Sequence, residues 1–320
     1  MASSAISRRV RSSLNSVSSI LKALRRNRIA FAGFIILLIY VGIAVVAAAH
    51  LLPKIPPPRV GYSNIYAPPS LNDFPWYLLG TDYTGRPLLL ILFYGTPSIL
   101  LVAFIAALIT VVVGLVLGLI SGYIGGNVDV LISTIIDIAL TLPTYVLALI
   151  LVVVLPISLT NDPLVLAGIL SVTSWAGLAR AIRSQVLSLK RREFIDVAKT
   201  IGFSNFRIMF GDLARFMAPY IFINLLVGMI GALYGYVGLA FLGLLPLSSE
   251  NWGVQLNEAV SAGGAIYTSR GVASLWSSIV IIVLLQLSLI SLTSATDEIF
   301  NPALRRAVEE ESHMEEVSPG

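Results

Sequence analysis

Long uncharged apolar runs alternate along this chain with shorter polar stretches, and the runs have the length of a bilayer crossing. A transmembrane helix needs roughly 20 mostly apolar residues. The sequence supplies such runs at 29–52, 98–120, 130–155, 220–245 and 272–292. A shorter run, 164–179, reaches the same length if its helix continues past Arg180 and Arg183. The pattern therefore predicts an all-α integral membrane protein with six spans. Two interruptions stand out. The third run carries Asp137 near its start and Pro143 within it, and the fourth and fifth runs are separated by a charged island at 190–219.

That island reads as two short amphipathic helices joined at Gly202. In the first, Phe194, Val197 and Ile201 recur at helical spacing, with Glu193, Asp196 and Lys199 left for water. The second, from about Asn205, repeats the pattern with Phe206, Met209, Phe210 and Leu213, and Ser204 is placed to cap it. Gly202 suits a sharp turn or the close approach of another surface. Such an element fits a loop lying on the membrane surface as well as one docked on a soluble partner, and spacing alone does not separate them.

Composition agrees with the membrane reading. Only 12% of the 320 residues are charged, 57% are hydrophobic and the mean hydropathy is +0.89, against about 25% charged in soluble domains. With the N-terminus inside, 17 of the 21 Lys and Arg residues fall on the inner side and four (Lys54, Arg59, Arg86 and Arg270) on the outer. This is the positive-inside distribution. The net charge of +4 is thus explained by membrane orientation rather than by nucleic acid. Both termini and the 190–219 loop are expected in the cytoplasm.

The remaining boundaries follow from the same pattern. Residues 1–28 hold seven basic and no acidic residues and form a cytoplasmic arm with an interfacial helix, leading into a retained anchor rather than a cleaved signal. Residues 53–97 make an external loop and interfacial segment, 98–296 a five-span core with an external loop at 246–271, and 297–320 an acidic cytoplasmic tail. Gly114, Gly118 and Gly122, four apart, would let a second helix approach closely.

Chemistry is sparse. The chain has no Cys, and His50 and His313 lack companions for a metal site. No GxxxxGK[ST] loop occurs. Nothing supports an enzyme, and no cofactor is expected on this chain. A pump would then draw on an ion gradient or on a partner that hydrolyses nucleotide. Asp137 is expected to face a partner helix or the interface. Together with Thr141, Pro143, Ser174 and Asn224 it forms the candidate pathway or gate, chosen for polarity within spans.

The stretch EFIDVAKTIGFSNFRIMFGDLARFMAP, with Asp196, Ala198 and Gly202, resembles the "EAA" loop of ATP-binding-cassette importer permeases. More narrowly, the chain resembles the C-type permease subunit of the dipeptide/oligopeptide importer family. The likeness runs through LRRNRIAFAG (24–33), LGTDYTGRP (79–87), SGYIGGNVD (121–129) and DIALTLP (137–143), and on through LAFLGLLP (239–246), NWGVQLNEA (251–259) and DEIFNPALR (297–305). The motif's leading Glu is here Asp196, its second position is Val197, Arg215 replaces a Pro, and Pro87 stands where the family often has Asp.

This resemblance implies a six-span type I importer permease fold and a heterodimeric pore made with a sister permease. It also implies two ATPase subunits, which carry the ATP and Mg, and an extracytoplasmic solute-binding protein. Glu193, Phe194, Asp196, Val197, Ala198, Ile201 and Gly202 would form the coupling helix seated in an ATPase. Gly80, Thr81, Asp82, Gly85, Arg86, Trp252 and Gly253 belong to the family's structural motifs. Peptide is the expected cargo, with oligosaccharide or nickel moved by the same machinery as the alternative. An ion-coupled secondary transporter is the alternative class.

Overall fold

The structure is a computed structural model that describes residues 27–58, 65–71, 74–245, 250–267, 269 and 271–300. The basic arm before Asn27 and the acidic tail after Phe300 lie outside the described residues. Ten helices organise the rest: α1 (Arg28–Ala48), α2 (Leu88–Ile124), α3 (Gly126–Thr141), α4 (Thr144–Val154), α5 (Pro163–Ser171), α6 (Trp175–Leu189), α7 (Glu193–Thr200), α8 (Ala218–Phe241), α9 (Trp252–Ser261) and α10 (Val272–Phe300).

α2 is the axis of the bundle. Its 37 residues amount to about 55 Å at 1.5 Å per residue, well beyond the hydrocarbon thickness. Leu88–Tyr94, expected as a separate interfacial segment, is instead the opening of this helix, and Pro97 lies inside it. So the division at 97/98 marks no structural boundary. Membrane helices tolerate such a Pro where neighbouring elements supply packing and polar partners. Here the Leu92 carbonyl accepts from the Thr96 hydroxyl at 3.0 Å and from the Trp252 indole N–H at 2.8 Å.

Along its second half α2 lies against α6. A Cβ on Gly118 would sit 2.7 Å from the Ala179 carbonyl and the Ile182 Cβ, and one on Gly122 would sit 2.8 Å from the Val186 Cβ. Gly114 meets Leu178 in the same way. Between bilayer-compatible helices, close packing of this kind stabilises association without a hydrophobic driving force. Lys190 completes the contact by donating to the Gly122 carbonyl at 2.8 Å, a cation at the C-terminus of α2.

Two further apolar segments are each broken into a pair of helices. α3 and α4 meet at 77°, and α5 and α6 at 53°. The first break is at Leu142–Pro143: Leu142 is extended, as the residue before a proline tends to be, and Pro143 has no N–H to continue the ladder. The second follows a cluster of hydroxyls that bond back to the helix. Ser171 donates to the Gly168 carbonyl and Ser174 to the Leu170 carbonyl, at 2.9 and 2.8 Å. The third and fourth apolar runs are thus bent pairs of helices rather than continuous ones. Among the described residues four helices (α1, α2, α8 and α10) are long and apolar enough to cross a membrane on their own, and the number rises to six when each bent pair is taken as one span.

The end of the bundle that carries the α2 N-terminus is closed by two loops. Asp82 is fully buried and accepts from the backbone N–H groups of Thr84 and Arg86 (both 2.8 Å), from the Thr84 hydroxyl, and from the Arg86 guanidinium at 2.7 Å. A buried carboxylate is tolerable only when saturated in this way. Gly80 and Gly85 form the turns around it, and the Thr81 hydroxyl accepts from the Ala67 N–H at 2.7 Å. Nearby, Trp252 is buried at the start of α9 against Tyr40, and Gly253 abuts the Val237 carbonyl with no room for a side chain. Gly80, Thr81, Asp82, Gly85, Arg86, Trp252 and Gly253 thus gather at one end of the bundle.

Glu258 of α9 belongs to the same cluster. Its backbone carbonyl accepts from the Tyr66 hydroxyl at 2.7 Å and its carboxyl from the Gln255 amide at 3.3 Å. Burial, reinforced by the Asp82 carboxylate and offset by Arg86, pushes the Glu258 carboxyl up to about 7.

Two outcomes are expected. Gly118→Leu forces α2 off α6 and destabilises the chain by about 1–3 kcal/mol, read as a lower melting temperature in detergent. Because the Glu258 pKa in the folded chain exceeds its ordinary 4.5, its contribution is fully present below that value and is lost as pH rises through about 7. The melting temperature should then fall more between roughly pH 5 and roughly pH 8 than it does in Glu258→Gln. Equal falls in the two proteins would contradict the assignment.

Candidate functional site

Two features have the geometry of a working site: the segment between α6 and α8, and a cavity among α2, α4, α5 and α8. They lie on either side of the glycine-lined contact and share α6.

The segment begins where α6 ends. α7 turns Ile195 and Ala198 into an apolar cluster with Leu119, Val186, Leu189 and Leu213, where Ile195 is fully buried. Three residues apart on an eight-residue helix, these two positions share a face. The adjoining face carries Phe194 and Val197, continued by Ile201 at the C-cap, and Val197 and Ile201 are 56% and 65% exposed. Ala198, which the resemblance also places in the coupling helix, packs inward beside Ile195. Glu193, Asp196 and Lys199 ring the apolar patch, with Asp196 and Lys199 3.6 Å apart and both well exposed.

α7 stops at Gly202, whose φ of +86° is left-handed. The Gly202 and Phe203 N–H groups bond back to the Lys199 and Ala198 carbonyls at 2.9 and 3.1 Å, the Schellman pattern of helix closure. Among the described residues, none beyond its chain neighbours comes within 4 Å of where a Gly202 Cβ would point. Within this chain, then, the glycine serves the turn and not a close contact. Ser204 caps the next helical segment through the Arg207 N–H at 3.3 Å. That segment passes through a π-helical turn, Ile208–Leu213, before Pro219 opens the first turn of α8. Ile208, Met209 and Leu213 point inward, whereas Phe206 and Phe216 remain exposed and Phe216 stacks on Phe194 at 6.0 Å. The exposed apolar surface is therefore wider than α7 alone.

The cavity has a volume of about 590 Å³. Its polar lining comes from Thr110, Thr144, Tyr145, Ser174, Asn224 and Tyr234, and no charged side chain lines it. Small residues of α8 make it possible: Gly228 lies against Ala107, Gly235 against Leu170 and Gly238 against Tyr145. At its wall the Thr173 hydroxyl donates to the Thr144 hydroxyl at 2.8 Å, tying the bend of one broken pair to the bend of the other.

Of the five pathway candidates, Ser174 and Asn224 line this cavity. Pro143 starts the arm that brings Thr144 and Tyr145 to it. Thr141 and Asp137 do not line it and are exposed on α3. Asp137 pairs with Arg180 of α6, and Asp129 is held by both ends of the Arg183 guanidinium at 2.6 and 2.7 Å, with Ser121 and Ser133 alongside. The sequence reading missed these partners as partners. Its available signal was two acids eight apart facing two arginines three apart.

Comparison with known proteins bears on these features. Residues 114–306 match the family described as binding-protein-dependent transport system inner membrane component. The chain is 31% identical over 254 residues to the dipeptide transport system permease protein DppC of Bacillus subtilis, covering 78% of this chain and 75% of that one. It is 29% identical over 252 residues to the oligopeptide transport system permease protein OppC of Lactococcus lactis, covering 78% and 83%. To the metal-staphylopine import system permease protein CntC of Staphylococcus aureus it is 36% identical over 228 residues, covering 71% and 75%. The matched region contains both broken helix pairs, the 190–217 segment and most of the cavity wall, so the site lies within what the relatives share. The chain belongs to the family of binding-protein-dependent transport system inner membrane components.

Proposed function

We propose that this chain forms half of the translocation pore of an ATP-driven importer, with each broken helix pair acting as one of six spans. Both termini and the 190–217 segment face the cytoplasm, and the loops around Asp82 and Trp252 face the other side. A sister permease supplies the second half of the pore. Two ATPase subunits bind ATP and Mg, and an extracytoplasmic binding protein delivers the solute. The observation that carries this reading is α7. One face of it is locked into the chain by Ile195 and Ala198, while Phe194, Val197 and Ile201, widened by Phe216 stacked on Phe194, present an exposed apolar patch with a charged rim. An exposed patch of that kind marks an interaction site.

The solute follows from the relatives' names. DppC and OppC belong to dipeptide and oligopeptide systems, and di- or oligopeptide is the cargo we assign. The cavity suits a cargo held by hydroxyl and amide groups, since none of its lining is charged. The pairing of Asp137 with Arg180 gives no support to the ion-coupled alternative, which would want that carboxylate in the pathway.

Val197 is exposed and makes no core contact, so Val197→Asp should leave membrane insertion intact. Binding-protein-stimulated ATP hydrolysis by the reconstituted complex should fall by about ten-fold or more, the loss of a central interface anchor. Undiminished stimulation would count against docking through α7. Cysteines introduced at Ser174 and Asn224 should react with aqueous reagents and be protected by a transported peptide, whereas one at Val153 of α4, away from the cavity, should show no such protection. Equal protection at all three would remove the cavity from the pathway.

A further inference from the structure

The two ion pairs between α3 and α6 join parts of the molecule that the proposed function needs to move together. α6 runs into α7 through only Lys190, Arg191 and Arg192, so a displacement of α7 is transmitted first to α6. α3 runs at its other end into the 77° bend and then into α4, which brings Thr144 and Tyr145 to the cavity. The apolar contact between α3 and α6 is small, with Ile132 and Trp175 partly buried at its edge. Only Ile136 and Ala139 of α3 are buried, in a small apolar cluster with Ala176 and Ala179 of α6. The outward side of α3, with Val130, Leu131, Ile135 and Ile138, is exposed. Apolar contact between helices gives little net attraction in lipid.

Against that weak packing stand two charge-assisted links. Near the α7 end, Arg183 holds Asp129 by two bonds, and the Ser121 hydroxyl of α2 donates to the same carboxylate. Two turns further along α3, Arg180 pairs with Asp137. The Arg183–Asp129 pair is largely covered and resists separation, because either partner alone would be left uncompensated, whereas Arg180 and Asp137 are more than half exposed and make the weaker link. At the bends the Thr173–Thr144 hydrogen bond supplies a third link.

We propose that α3 and α6 move as a single lever, with Arg183–Asp129 and Arg180–Asp137 as the links through which a displacement of α7 reaches the cavity wall at Thr144 and Tyr145. The four charged residues are positioning residues that touch neither solute nor nucleotide. The inference rests on the reading of α7 as the ATPase contact.

The test uses the complete importer complex in proteoliposomes. Asp137→Arg should lower solute uptake about ten-fold, as expected for loss of coupling between sites, while binding-protein-stimulated ATP hydrolysis stays within about two-fold of the unaltered complex. Adding Arg180→Asp, which restores opposite charges with their places exchanged, should recover uptake. Uptake that is unchanged in Asp137→Arg, or that the exchange does not recover, overturns the lever.

A second measurement leaves the ion pairs intact. The chain has no cysteine, so spin labels at Leu131→Cys and Ser184→Cys report on α3 and α6 without competing thiols in this subunit. Their separation should be the same in the nucleotide-free and ATP-bound complexes. The separation of Leu131→Cys from Leu287→Cys on α10 should change. A change within the first pair, or none within the second in a complex that transports, contradicts the lever. A chain that never assembles with an ATPase would instead overturn the importer reading, and the lever with it.

Discussion

Where α2 lies against α6, glycines spaced four apart remove the side chains that would hold two helices at an ordinary separation. The gap closes until a single added Cβ would touch backbone. Much of the molecule is placed by that contact. It fixes α6, and α6 is continuous with the segment that carries α7 and bent against the one that carries Ser174. It also brings Lys190 to the last turn of α2, and Arg183 and Arg180 within reach of α3. In lipid, where apolar side chains gain little by leaving one solvent for another, shape and polar links have to supply this cohesion.

The two ends of the molecule solve different problems. At the end that carries the α2 N-terminus, Asp82 is buried and saturated with donors, Trp252 is sealed by its indole bond to Leu92, and burial, with the Asp82 carboxylate nearby, pushes the Glu258 carboxyl up to about 7. Those groups form a closed plug in which each buried polar atom just named has a partner. At the other end the chain leaves apolar side chains uncovered: Phe194, Val197, Ile201, Phe206 and Phe216. A surface that a monomer would not normally expose is there held rigid by Ile195, Ala198 and Leu213 beneath it. Rigidity below and apolar exposure above are what a stable docking element requires.

Between the ends, the cavity exists because two apolar segments are broken into bent helix pairs rather than straight. Pro143 and the hydroxyls of Ser171 and Ser174 interrupt their helices at similar depth, and Thr173–Thr144 joins the interruptions. Small residues of α8 leave the space that Tyr145 and Asn224 partly fill. Polarity within a span was therefore a useful guide only for side chains at the bends or on the glycine-rich side of α8. Thr141 and Asp137, equally polar, fall on the other side of α3 because the 77° bend redirects the chain directly after them.

Several of these features were legible from residue pattern alone. The apolar runs announce the helices, the glycines at 114, 118 and 122 announce a close approach, and Gly202 with Ser204 announces a turn and a cap. These signals are local: each depends on residues within a turn or two of one another. Which residues meet across the bundle is a different kind of fact. Nothing near Asp129 in the chain names Arg183, 54 positions away, and nothing near Trp252 names the Leu92 carbonyl. The outward face of α7 could be read from spacing, but that Ala198 packs inward was decided by where α2 and α6 put the core. The sequence by itself determined the helices, their membrane character and the amphipathic segment, because period and hydropathy are set by neighbours along the chain. The tertiary structure decided the bends, the ion-pair partners and the cavity, because those depend on which distant surfaces the glycines allow to touch.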